Sequence, residues 1–125
     1  MICRPAHDRK QTEMNILCVP YGSEHQQAVR VGDTLRILVS APQDGNTWTG
    51  NVNLRVDYNT APVDDVGLSS YVGARVAGKY WDLFKNYDTT NLAASTKYLV
   101  TAQISSAGNT VEYQTTVTML PQGRT

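Results

Sequence analysis

Residues 97–120, KYLVTAQISSAGNTVEYQTTVTML, decide the class of fold. Tyr98, Val100, Ala102 and Ile104 stand at every second position, and Val111, Tyr113, Val117 and Met119 keep that step after the interruption. A step of two puts side chains on one face of a strand, whereas a helix would bring apolar residues back at every third and fourth position. The opposite faces are mostly Thr, Gln and Glu, which suits water. Ser105–Asn109 is short enough to close the two runs into an antiparallel hairpin, with Gly108 or Asn109 taking the positive φ of a tight turn.

Upstream the same signal recurs, with short β-rich runs between turn residues at a spacing of roughly 8 to 15 positions. Thr34–Ser40 puts Leu35, Ile37 and Val39 on one face, and Asp44, Gly45 and Asn46 supply a turn. Thr47–Tyr58 turns Val52, Leu54, Val56 and Tyr58 inward and Asn51, Asn53, Arg55 and Asp57 outward, with Gly50 marking a bulge or bend. Asn59–Ser70, with Pro62, Asp64, Asp65 and Gly67, reads as a long irregular crossing. Tyr71–Ala77 and Lys79–Lys85 read as two strands around Gly78, the second turning Trp81 and Leu83 to one side. The pattern predicts an all-β, antiparallel sandwich of about seven strands. It spans residues 27–120, behind an extended N-terminal arm of residues 1–26 and ahead of a short tail, 121–125. At 125 residues one domain suffices.

Asp88-Thr89-Thr90-Asn91-Leu92, leading through Ala93-Ala94-Ser95-Thr96-Lys97 to Tyr98-Leu99-Val100, resembles the approach to strand F in immunoglobulin and fibronectin type III sandwiches. The resemblance implies a structural corner, with Leu92 packed beneath it and the Tyr98 hydroxyl hydrogen-bonded back to the preceding turn. The Cys-Trp-Cys core of antibody domains is absent. Val31-Gly32-Asp33-Thr34-Leu35, then Asp88-Thr89-Thr90 with Leu92, then Tyr98 and a hairpin around Gly108-Asn109-Thr110, is similar in order to Ig-like domains of tailed-phage virion proteins. That resemblance implies a capsid decoration (cement), baseplate or tail protein that docks on other subunits and does no chemistry.

Eleven Lys and Arg balance eleven Asp and Glu. Nucleic-acid binding needs a surplus of cations gathered on one face, so it is not expected as the main role. The first ten residues hold no apolar run that could serve as a signal-peptide core, and no later segment is long enough to span a bilayer. The expectation is synthesis in a host cytoplasm and residence in a virion, without a membrane partner.

Cys3, His7, Cys18 and His25 all fall in the arm and form a chemically adequate zinc set, but C-x3-H-x10-C-x6-H matches no usual finger spacing. Ordinary arm residues are the stronger reading, and a Cys3–Cys18 disulfide would close a loop outside the sandwich. Asp57, Asp64, Asp65 and Asp88 lack the tight alternation of a calcium loop and read as turn carboxylates. Ser23 near His25 is the nearest approach to a nucleophile and base, with no elbow around it. No enzyme and no cofactor is expected. Of the aromatics, Trp48, Tyr80 and Tyr87 are the ones expected to face outward, a thin platform for the alternative of a carbohydrate- or protein-binding adhesion module.

The arm carries Ile2, Met14, Ile16, Leu17, Val19 and Tyr21 with no strand pattern to bury them, and Arg4, Arg9 and Lys10 beside them. Exposed apolar side chains on an arm call for a partner to cover them. These nine residues are the expected anchor to neighbouring subunits, a major capsid protein, tail proteins or further copies in a homo-oligomer.

Overall fold

The computed structural model describes residues 15–23, 28–56, 60–72 and 75–122. They form an all-β, sandwich-like fold of two sheets. The first sheet runs β1 (Ile16–Pro20), β3 (Thr34–Val39), β7 (Leu83–Asp88), β6 (Ser69–Ser70) from edge to edge. The second runs β2 (Val29–Arg30), β9 (Asn109–Leu120), β8 (Thr96–Ser106), β4 (Thr49–Arg55), β5 (Asp64–Gly67). All described pairings are antiparallel save that of β2 with β9, which is parallel and joins Val29 to Met119. The second sheet is therefore mixed, where a wholly antiparallel one was expected.

The alternation read from the sequence is the alternation that fills the space between the sheets. Leu35, Ile37 and Val39 from β3 meet Val52 and Leu54 from β4, Val100, Ala102 and Ile104 from β8, and Val117 and Met119 from β9 in one buried cluster. The β8–β9 hairpin holds eleven residue pairs in register, from Thr96 with Met119 to Ser106 with Asn109. Its turn is only Ala107-Gly108, both at positive φ (50° and 87°), the two-residue form that matches strand twist. Asn109 is already strand. Gly50 lies within β4 opposite Ile104; a Cβ there would stand 2.6 Å from the Ile104 Cα, so close backbone approach explains this glycine.

Four expectations are corrected. Residues 16–20 are not arm but the edge strand β1, paired in register with β3 from Ile16–Val39 to Pro20–Leu35. Ile16 and Cys18 enter the main core, and Val19 is fully buried on the other face of the strand. The continuous apolar run Ile16-Leu17-Cys18-Val19 has no period of two because both of its faces are covered. The crossing over residues 59–70 contains β5 and β6, short strands whose Asp and Ser content hid them. Of Tyr71–Ala77 the described residues form no strand: beyond Ser70 they are irregular until Val76 and Lys79 bridge around Ala77-Gly78, and Trp81 and Leu83 then go to opposite faces of the sheet. Finally β4 ends at Arg55, leaving Val56 about half exposed, while Tyr58 lies outside the described residues.

The connection from β7 to β8 crosses between sheets and is closed by polar contacts. Tyr98 is buried at the head of β8, and its Oη accepts the Ala93 N–H at 2.8 Å. Leu92 packs into the core beneath it, its N–H bound to Thr89 O at 3.0 Å. Thr89, fully buried, donates its hydroxyl to Asp33 O at 2.6 Å and accepts the Gly32 N–H at 3.0 Å. That side chain ties the β2–β3 turn to the crossing, satisfying backbone groups that burial would otherwise strand.

Candidate interaction surface

The outer face of the first sheet is apolar where water-facing residues would be expected. The register that sends Ile16, Cys18, Ile37 and Leu83 inward sends Leu17, Val19, Arg36, Leu38 and Phe84 outward. Leu38 is fully buried there, in a second cluster with Val76 and Trp81 against which Leu17, Tyr71 and Phe84 pack. The segment after β6 therefore roofs part of this face. Tyr71 meets Phe84 edge to face, ring centroids 5.5 Å apart at 64°. Val76 and Lys79 exchange both backbone hydrogen bonds, at 3.0 and 3.1 Å, and the Trp81 Nε1–H donates to Val76 O at 3.1 Å.

Around this roof the aromatics are paired with cations. The Arg36 guanidinium carbon lies 5.0 Å from the Tyr21 ring centroid and 5.5 Å from that of Tyr71, so two rings lie against the group. Arg75 stands 5.1 Å from the Tyr80 ring, with its Nε–H on Gly78 O, and Lys79 Nζ stands 4.9 Å from Trp81. Partial burial holds the Lys79 amine below its ordinary range, partly offset by Asp82. Tyr21, Tyr80 and Val72 remain 59, 68 and 96 % exposed, which leaves a rim of large apolar surface beside the cations. Tyr and Arg together, with apolar neighbours, are the residues enriched where proteins bind proteins.

Of the residues expected to anchor partners, Ile2, Arg4, Arg9, Lys10 and Met14 lie outside the described part of the chain. Ile16 and Val19 are corrected to buried residues of β1, and Leu17 supports the roofed cluster. Tyr21 does belong to the surface. The zinc set is corrected at Cys18: its thiol is free but fully buried in the core, and burial pushes it up to about 12, so it offers no thiolate to a metal and no bridge outside the sandwich. Cys3, His7 and His25 lie outside the described residues, so of the Ser23–His25 pair only Ser23 is described, its N–H on Pro20 O at 2.9 Å.

The expected aromatic platform loses two of its three rings. Trp48 is buried with its Nε1–H on Asp44 Oδ1 at 3.1 Å, and Tyr87 is buried with its hydroxyl on Asp64 Oδ2 at 2.7 Å. Tyr80 alone stays exposed. Asp88 accepts the Thr90 N–H and hydroxyl and Asp65 takes the Asn51 amide, while Asp57 lies outside the described residues. A hollow of about 350 Å³ at one end of the sandwich is lined by Gln43, Asn46, Trp48, Ser70 and Asp82. Its Asp82 Oδ2 already takes the Ala41 N–H at 2.8 Å.

No known protein family and no curated protein matches the chain. A crystal structure of an engineered protein is similar over 83 % of this chain, at 18 % identity and a TM-score of 0.48. The chain spans about a fifth of that protein's length, 20 %.

The surface was missed in the sequence because it needs Tyr21 from beyond β1, Arg36 from β3 and Tyr71 to Trp81 from an irregular excursion, which only the tertiary fold brings together. One local signal was present. Leu38 breaks the alternation of β3, and an apolar residue at an outward position asks for a cover.

Proposed function

We propose that the chain is an Ig-like docking domain with no chemistry of its own, a structural virion protein that sits on other subunits as a capsid decoration or cement protein does. The exposed Tyr–Arg surface on the first sheet carries the docking part: Tyr21, Tyr80 and Val72 leave apolar area in water that a neighbouring subunit would cover. Two features support the Ig-like part. The strands divide as β1-β3-β7-β6 against β2-β9-β8-β4-β5, the partition of an A-B-E-D sheet facing a G-F-C sheet. Tyr98 at the head of β8 binds the Ala93 N–H of the preceding turn, and Val100, two residues on, stands fully buried where antibody domains place a cysteine. The phage setting rests on the order of short cues in the sequence.

The direct experiment is co-sedimentation of the purified full chain with assembled, undecorated shells. Saturable binding that protects the shell from heat is the expected result. Binding to tail or baseplate assemblies alone moves the protein to that part of the virion. Binding to a glycan array with no affinity for any assembly overturns the proposal in favour of an adhesion module.

A further inference from the structure

Resting on the docking reading above, we infer that the outer face of the first sheet takes an extended acidic segment of a partner protein, gripping a carboxylate with Arg36 against Tyr21 and Tyr71. Two rings lie against this guanidinium, their centroids 5.0 and 5.5 Å from its carbon. Its Nε is buried and makes no hydrogen bond. The residues opposite Arg36 on the flanking strands are Val19 and Asn86, and neither supplies a carboxylate. Among the described residues no hydrogen-bond or ion-pair partner meets its planar outer edge, whose two parallel N–H groups have the geometry that matches a carboxylate two-to-two. A group held by two rings loses little rotamer freedom on binding, so the site is organised before the ligand arrives.

The charge around the site selects the same partner. Arg75 and Lys79 lie on the excursion beside it, each against an aromatic ring. Asp82 beside Lys79 and Asp88 on β7 offset part of this charge, Asp82 also accepting the Ala41 N–H and Asp88 the Thr90 N–H and hydroxyl, which leaves Arg36 and Arg75 as cations facing a ligand. An acidic segment with an apolar or aromatic residue next to its carboxylate would set that side chain on Val72 or Tyr80, both largely exposed. A basic segment would meet three cations, Arg36, Arg75 and Lys79, and be repelled.

The test titrates the full chain with a fluorescein-labelled peptide rich in Glu and Phe and with its counterpart in which every Glu is Lys. Binding of the acidic peptide alone, weakened by added salt, is expected. Arg36→Met should weaken it about tenfold or more, and Arg36→Lys should recover only part because the charge returns without the fork. The peptide-charge and salt arms use the unaltered protein, so they stand even where a variant fails to fold. Equal binding of both peptides, binding of neither, or undiminished binding by a folded Arg36→Met chain overturns the inference. If shells take up the wild-type and Arg36→Met chains alike while the acidic peptide does not bind, docking stands and the carboxylate grip falls. Shells that take up neither chain overturn the docking reading and this inference with it.

Discussion

Tyr98 and Cys18 show how single side chains fix the behaviour of the whole core. Replacing Tyr98 by Phe removes the acceptor of the Ala93 N–H and leaves a backbone donor stranded, a cost of about 1–3 kcal/mol measurable by urea unfolding. The family resemblance located this tyrosine a few residues after Leu92 and led to the expectation that its hydroxyl donates to a backbone acceptor; that is corrected, since the hydroxyl accepts from the turn's N–H. Cys18 was legible as a residue and misplaced as an environment, since nothing in one apolar run tells which neighbour covers it. Its thiol, pushed from an ordinary 9.0 up to about 12, sets a pH dependence. A folded pKa above the unfolded one gives stability that is complete below pH 9 and is lost as pH rises toward 12. The slope should approach about 1.4 kcal/mol per pH unit. Tyr87, raised by burial and by its bond to Asp64, acts in the same direction. Chemical unfolding across that window should show the loss, and Cys18→Val should flatten part of it. An unchanged alkaline limb in that variant would place the titration elsewhere.

The strands were legible wherever an apolar core face alternates with a mainly polar outer one, as in β4, β8 and β9 and in β3 up to Leu38. They were illegible where that asymmetry fails. β1 is covered on both faces and so reads as an undivided apolar run, while β5 and β6 are short edge strands of Asp, Gly and Ser whose β character comes from their partners. The consequence for β1 is large. Removing residues 1–20 deletes the fully buried Ile16 and Val19, roughly 1.5–3 kcal/mol each, and bares the backbone edge of β3 to other chains. Against a typical total of about 5–15 kcal/mol that loss should abolish cooperative unfolding or cause aggregation; a soluble, cooperatively melting product would show β1 to be dispensable. At the β8–β9 turn the argument runs the other way. Ala107 holds φ +50°, a conformation that costs a Cβ-bearing residue about 1 kcal/mol. Ala107→Asn or Ala107→Gly should therefore raise the thermal midpoint, whereas Gly50→Ala in β4 should lower stability by about 1–3 kcal/mol or more by forcing the β4 and β8 backbones apart.

Across the molecule the two outer faces differ in character. That of the second sheet is mainly polar: Asn53, Arg55, Thr101, Gln103, Glu112 and Gln114, with Leu99 among them, line a shallow depression of about 240 Å³, and Gln103 donates to Glu112 at 2.9 Å. That of the first sheet is apolar and cationic, and only part of it is roofed. The roof and the rim should respond differently to substitution. Trp81 is buried against Leu38 and Val76, so Trp81→Ala should cost about 3–5 kcal/mol and loosen the whole excursion. Val72 and Tyr80 are 96 and 68 % exposed, so Val72→Ser with Tyr80→Ser should change stability by no more than about 0.5 kcal/mol each. If the rim is where a neighbouring subunit sits, the same double substitution should weaken assembly binding by roughly tenfold or more, because exposed aromatic residues at the centre of a contact carry a large share of its energy. Calorimetric melting and co-sedimentation on one preparation separate the two effects. An intact melting curve with intact binding would show that the exposed rings do not face the partner and that docking uses another surface.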